Sequence, residues 1–247
     1  MSTVMACRDL LVGYGTRPLL PPITLDLGRG EFWAVLGRNG SGKTTWFRTM
    51  LGLLPALGGT VTRAPELRVS YVPQRTGFDE LWPLTAAQVV ALGTERGWSF
   101  ARPFGRATAV RDALALVDAA DLGHRTFRSL SEGQKQRVLL ARLAAARPDI
   151  AFLDEPTAAM DAVAEREALE TLDHIRKEIG LTIVVVSHDL SVARDFAERA
   201  LFVDRATPVV ASGTVAEVFA APSFRARYGT RAEDHVGADG GVEVRDA

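Results

Sequence analysis

Apolar positions along the chain change their spacing several times, and each change marks an element. Residues 4–14 and 23–36 are rich in Val, Leu, Ile and aromatic residues and are broken by Gly13, Gly15, Pro21, Pro22, Gly28 and Gly30, which predicts short strands. The second run ends in Phe32-Trp33-Ala34-Val35-Leu36, a continuous apolar segment of the kind found in a strand buried on both faces. A glycine-rich loop follows, then a helical stretch to about Leu54, closed by Pro55 and Gly58. Val69 to Pro73 reads as another strand. Residues 75–147 lack strand runs and read as mainly helical. Within them Val110–Ala120 carries Leu114, Val117 and alanines on one side. Ser131–Arg147 is a stronger helix: Ser131 can cap its first turn, Gln134 completes a Ser-x-x-Gln capping box, and Pro148 marks the end. Strand, helix and strand then recur at Ile150–Leu153, about Ala162–Ile179 with Gly180 behind it, and Leu181–Val186.

Apolar strands alternating with helices imply an α/β chain whose mostly parallel sheet is covered on both faces. With no internal repeat or linker, residues 1–236 read as one domain in which about 75–147 form a helical insertion. Gly237, Gly240, Gly241 and scattered charges mark 237–247 as a mobile tail.

Composition narrows the partners. Hydrophobic residues make up 47% and charged residues 24% of 247, ordinary values for a globular protein. Cys7 is the single cysteine, so no internal disulfide can form. Lys plus Arg at 29 against Asp plus Glu at 30 leaves a formal charge of −1, which argues against a nucleic-acid partner. The N-terminal residues lack the positive-then-apolar layout of a signal peptide. Apolar stretches such as Leu181–Val186 are far too short to cross a bilayer as a helix. The chain is therefore expected in the cytoplasm, and any membrane role requires a separate partner.

Gly37-Arg38-Asn39-Gly40-Ser41-Gly42-Lys43-Thr44 matches G-x-x-x-x-G-K-[ST] without a gap. Glycines let the backbone curl so that successive N–H groups face one anion, and the following helix adds its positive end. Lys43 is placed to reach terminal phosphates and the Thr44 hydroxyl to ligate Mg²⁺. The motif requires a buried strand before it and a helix after it, and the sequence supplies both.

Further motifs follow in a fixed order. Leu130-Ser131-Glu132-Gly133-Gln134 closely resembles the signature of ABC ATPases (LSGGQ), with Glu132 at a position where that family tolerates variation. Ile150-Ala151-Phe152-Leu153-Asp154-Glu155 resembles that family's acidic strand end, and Tyr71-Val72-Pro73-Gln74 its glutamine loop. Ala158-Ala159-Met160-Asp161 resembles the loop after the acidic strand, usually Ser-Ala-Leu-Asp, and Val186-Ser187-His188-Asp189 the switch histidine. Tyr14, in Val12-Gly13-Tyr14-Gly15, matches the aromatic that stacks on adenine. The resemblance runs from Tyr14 to His188 and covers most of the chain.

It implies a phosphate-loop NTPase with an antiparallel β subdomain and a helical subdomain. ATP and Mg²⁺ are the implied cofactors, with Glu155 as general base on water, His188 on the terminal phosphate, Gln74 sensing the attacking water and relaying to the membrane partner, and Asp154, Thr44 and Gln74 toward the metal. Gly37 to Thr44, Thr45 and Tyr14 would contact the nucleotide in one subunit. Ser131, Gly133, Gln134 and Asp161 would meet it from a second copy in a head-to-tail dimer.

Tyr71-Val72-Pro73-Gln74-Arg75, Trp82-Pro83-Leu84-Thr85 and Val89-Val90-Ala91-Leu92-Gly93 look most like the zinc/manganese uptake group. Trp82 stands where Phe is usual, and the tail lacks the His-rich stretch some zinc members carry. His124, His174, His188 and His235 are scattered, so any transported metal is handled by another subunit. The group implies membrane permease subunits, an extracytoplasmic substrate-binding protein and a place on the inner face of the membrane. The neighbouring readings are an importer of iron chelates, haem or cobalamin, and a soluble ABC ATPase such as an iron–sulfur assembly ATPase, for which no thiol cluster is present.

Overall fold

The computed structural model describes residues 2–73, 83–94, 103–157 and 160–229. Gln74, Trp82, Ala158, Ala159, His235 and the 237–247 segment lie outside the described residues.

Strands β1 (Thr3–Leu11), β4 (Ile23–Gly28) and β6 (Gly58–Arg63) form an antiparallel sheet in the order β4-β1-β6. The short strands β2 (Gly13–Tyr14) and β3 (Arg17–Pro18) pair as a hairpin between β1 and β4. The central sheet is built from β5 (Phe32–Leu36), β7 (Val69–Val72), β8 (Ile150–Asp154), β9 (Thr182–Val186), β10 (Arg199–Asp204) and β11 (Val209–Thr214), ordered β11-β10-β5-β9-β8-β7. All its neighbours are parallel except the edge pair β10–β11.

Period-two alternation shows why these strands read as continuously apolar. Along β8, Ile150 and Phe152 face the core shared with the antiparallel sheet, while Ala151 and Leu153 face the helical side. In β9, Val184 and Val186 face the first core and Ile183 and Val185 the second. Both faces are buried, so no polar alternation survives. On the first face, α1 (Lys43–Met50) lays Trp46, Phe47 and Met50 into the core. Phe47 meets Phe152 edge-on at 5.1 Å between ring centroids and Trp46 lies 6.5 Å from the same ring, which locks the helix after the phosphate loop to the strand carrying Asp154. Opposite sit α2 (Ala86–Ala91), α3 (Pro103–Leu116), α4 (Glu132–Ala146) and α5 (Ala162–Ile179). A third cluster joins β5 and β10 to α6 (Leu190–Phe196), α7 (Val215–Ala220) and α8 (Pro222–Tyr228).

Two helices differ in extent from the sequence expectation. The helix after the phosphate loop stops at Met50, not near Leu54, because Gly52 takes φ 75° while Leu53 N donates to Arg48 O and Gly52 N to Thr49 O, a Schellman stop. The helix expected over 110–120 spans Pro103–Leu116. Asp118 at φ 51° ends it, with Ala119 N donating to Leu114 O and Asp118 N to Ala115 O. Val117 and Ala119 are buried from within this turn, so the apolar run continues after the helix has ended.

Asp149, just before β8, ties three loops together. Its carboxylate accepts from Arg68 N at 3.0 Å, Arg68 Nε at 3.1 Å and Arg29 at 3.4 Å. The Arg68 side chain, then its backbone N–H, hold the Asp149 carboxyl at about 2 against an ordinary 3.8. A carboxylate with a depressed folded pKa contributes stability above its unfolded pKa and loses it as pH falls toward the folded value. Asp149→Asn is therefore expected to lower the melting temperature at pH 7 and to flatten the acid limb of a stability–pH curve between about pH 4 and 2. An unchanged acid limb in the variant would show that the three-loop tie contributes nothing.

Candidate functional site

Strand order decides what meets what. β10, β5, β9 and β8 run parallel as neighbours, so their carboxyl ends lie side by side, the usual place for a ligand in an open α/β sheet. From those ends emerge Gly37, then Asp154 and Glu155, then Ser187 and His188, then Asp204.

The loop between β5 and α1 is shaped by its glycines. Gly37 has φ 148°, and a Cβ there would stand 2.4 Å from Val203 O and 2.6 Å from Ser41 Oγ, so only glycine lets the loop rest on the end of β10. Gly42 caps α1 at φ 106°. Lys43, 5% exposed, curls back so that Nζ donates to Gly37 O at 2.6 Å and Arg38 O at 3.1 Å. Burial lowers its pKa, against the pull of Glu155 and Asp154. Asp154 is pushed up by burial and by Glu155, while a hydrogen bond from Thr44 and the charges of Arg48 and Lys43 act the other way. Glu155 sits at φ 48°, a left-handed conformation costing a non-glycine residue about 1–3 kcal/mol, and Glu155 N donates to Val186 O at 3.1 Å. That backbone strain occurs where two acids leave one strand.

Arg38, Asn39, Gly40 and Ser41 line one cleft of about 850 Å³ together with Glu155 and exposed His188. Tyr14 stands over the first turn of α1, 56% exposed, its hydroxyl 3.3 Å from Thr45 Oγ1. The donor set suits a phosphate chain: left-handed glycines, a desolvated ammonium group, and a buried Ser41 Oγ with no hydrogen-bond partner. A hydroxyl and a carboxylate already in contact, Thr44 and Asp154, suit a hard cation.

The ABC transporter family model matches residues 20–158. The zinc import ATP-binding protein ZnuC of Cereibacter sphaeroides is 38% identical over 228 residues, covering 92% of this chain and 89% of that protein. The zinc import ATP-binding protein ZnuC of Yersinia enterocolitica is 34% identical, covering 96% and 89%. The chain belongs to the ABC transporter family. Among solved structures, cbiO1 from Clostridium perfringens, part of the ABC transporter complex cbiONQ, superposes with a TM-score of 0.77 at 25% identity, covering 93% of this chain and 95% of that one.

The family's signature residues do not join the phosphate-loop cleft of this ABC chain. Ser131 caps α4: its hydroxyl accepts from Gln134 N at 3.3 Å and Gln134 Oε1 accepts from Ser131 N at 3.2 Å. Exposed Gly133 instead lines a separate groove of about 300 Å³ with Gln136, Arg137 and Met160. Asp161 caps α5, accepting from Ala164 N at 2.9 Å. Gln74 lies outside the described residues. Among these residues no helix is long and apolar enough to cross a bilayer.

Sequence reasoning missed four residues. Arg48 on α1 acts on both Asp154 and Tyr71. Asp204, Arg205 and Arg227 line the same cleft as Glu155 and His188. The apolar run Ala200–Val203 ending in Asp204 was a legible strand-end signal. Nothing local in the sequence marks Arg48, Arg205 or Arg227.

Proposed function

We propose that the chain is the ATP-hydrolysing subunit of a divalent-metal importer, zinc or manganese being the cargo, and that it works on the inner membrane face through separate permease subunits. The observation that carries the chemistry is the meeting of the phosphate loop, Asp154–Glu155 and His188 at adjacent carboxyl ends of parallel strands. The cargo reading rests on the zinc-import relatives and on the Tyr71–Arg75 and Pro83–Gly93 patterns.

In this reading Lys43 exchanges its bonds to Gly37 O and Arg38 O for oxygens of the terminal phosphates. The loop N–H groups and Ser41 hold the phosphate chain, and Tyr14, steadied by Thr45, stacks on the base. Thr44, Asp154 and Gln74 would hold Mg²⁺, which neutralises phosphate charge when bound. Glu155 accepts a proton from the attacking water, and His188 orients Glu155 and the terminal phosphate.

The separation of Ser131, Gly133 and Gln134 from the phosphate-loop cleft supports a second copy supplying them, head to tail, with Asp161 at the same interface. ATP then forms part of the interface, and its hydrolysis reopens the dimer. An extracytoplasmic substrate-binding protein completes the complex.

Affinity capture of the tagged chain from gently solubilised membranes tests the reading. A multi-span membrane protein in similar amount, whose reconstituted vesicles take up zinc or manganese only with ATP, is the expected result. Recovery of soluble partners alone would leave the ATPase and remove transport. Uptake of a metal chelate in place of the free ion would move the cargo to the neighbouring group.

A further inference from the structure

Helix α8 reaches the hydrolysis cleft from beyond the matched family stretch, which ends at residue 158. It is firmly anchored. Phe224, fully buried, stacks on Phe219 at 4.7 Å and meets Phe202 edge-on at 5.3 Å, and Tyr228 packs on both Phe202 and Phe224. Between these two aromatic residues stands Arg227, whose Nε lies 3.0 Å from Asp204 Oδ2.

Asp204 is itself fixed. Its carboxylate accepts from Ala206 N at 2.8 Å and from Thr207 Oγ1 at 3.2 Å, and its side chain is only 7% exposed. The preceding carbonyl of Val203 touches the phosphate loop at Gly37. The Arg227 guanidinium is thus held at a set place relative to that loop.

The cleft carries more positive than negative charge. Arg38, Arg205 and Arg227 line it against Glu155 and Asp204, and Asp204 is already occupied by its turn and by Arg227. Among the described residues neither Arg38 nor Arg205 has an ion-pair partner. Ser41 Oγ, a buried polar atom of a cleft residue, has no hydrogen-bond partner, whereas Arg227 Nε is buried against Asp204. An unpartnered hydroxyl and excess guanidinium charge suit a phosphate, which arginine binds through paired N–H groups.

We propose that Arg227, positioned by Asp204, forms with Arg205 and Arg38 a phosphate-binding rim on the hydrolysis cleft. Its ligand is either the terminal phosphate of the bound nucleotide or the inorganic phosphate released from it. The proposal rests on the ATPase reading above.

Calorimetric titration of the full chain with ATP and with ADP, in an E155Q background that spares ATP, separates the two sources. If the rim holds the terminal phosphate, R227Q and R205Q each weaken ATP by about tenfold and leave ADP within about twofold. If it holds released phosphate, both nucleotide affinities stay put. In proteins retaining Glu155, inhibition of ATP hydrolysis by added inorganic phosphate then needs about tenfold more phosphate. D204N should reproduce R227Q, because it frees the guanidinium without removing it. Arg205 lies on an exposed turn, so its variant remains informative should α8 loosen in R227Q. Unchanged ATP affinity together with unchanged phosphate inhibition overturns the rim, as does an equal weakening of ATP and ADP. A wild-type chain that fails to bind ATP sinks the ATPase reading instead.

Discussion

Glu155→Gln is expected to lower kcat for ATP hydrolysis by about 10²- to 10⁴-fold, the range of a positioned general base, while ATP still binds. The expectation follows from where the carboxylate sits. Its backbone is held left-handed at φ 48° and pinned by a hydrogen bond to Val186 O, in the cleft shared with Arg38–Ser41 and His188. Glutamine preserves volume and can still hydrogen-bond water but cannot accept its proton. Because binding survives and hydrolysis does not, the variant should accumulate as an ATP-dependent dimer, visible as a doubling of mass in size-exclusion chromatography with light scattering. Turnover within threefold of wild type would remove Glu155 from the mechanism. A variant that binds ATP, fails to turn over and stays monomeric would remove the head-to-tail dimer of the isolated chain and leave the chemistry intact.

Lys43→Ala is expected to weaken ATP by roughly 10²- to 10⁴-fold, taking about 1.5–3 kcal/mol for each of two charge-assisted hydrogen bonds lost to the phosphates. The ammonium group is already buried and already bonded to Gly37 O and Arg38 O, so little side-chain freedom remains to be lost when phosphate oxygens replace those carbonyls. The same substitution strips Asp154 of a nearby positive charge that counters the upward push of burial and Glu155. Asp154 should then bind its proton at higher pH, and the pH below which metal-dependent activity falls should rise. Calorimetric titration with ATP reads the first effect, and activity against pH at saturating nucleotide reads the second. An affinity within threefold of wild type would show that Lys43 is spent on holding the loop.

Features encoded in a few consecutive residues were legible. The phosphate loop needs glycine at fixed spacing between a buried strand and a helix, and Gly37–Thr44 runs from the end of β5 into the first two residues of α1. The capping box of Ser131 and Gln134 was readable because both of its hydrogen bonds span three residues. Helix ends were less so. Asp118 stops a helix in a left-handed turn that glycine more often occupies, while Ala119 stays buried and continues the apolar period. Apolar spacing reports burial, and burial outlasts the helix.

Sequence alone determined the parts list of this protein: a phosphate loop, two acids ending an apolar strand, a capped signature helix and a histidine after another buried strand. Each is local, because backbone curvature, capping and strand burial are decided within about ten residues. Tertiary structure alone decided which of these parts share a cleft. The sheet order β10-β5-β9-β8 brings Arg38–Ser41, Glu155 and His188 together, leaves Gly133 in a separate groove and keeps Ser131 out of the cleft. It also brings Asp204 and Arg227 to the cleft lined by the phosphate loop, Arg227 held there by an aromatic cluster packing a C-terminal helix against β10. Strand order follows from burying two faces of one sheet at once, a condition on the whole chain that no short stretch of residues can state.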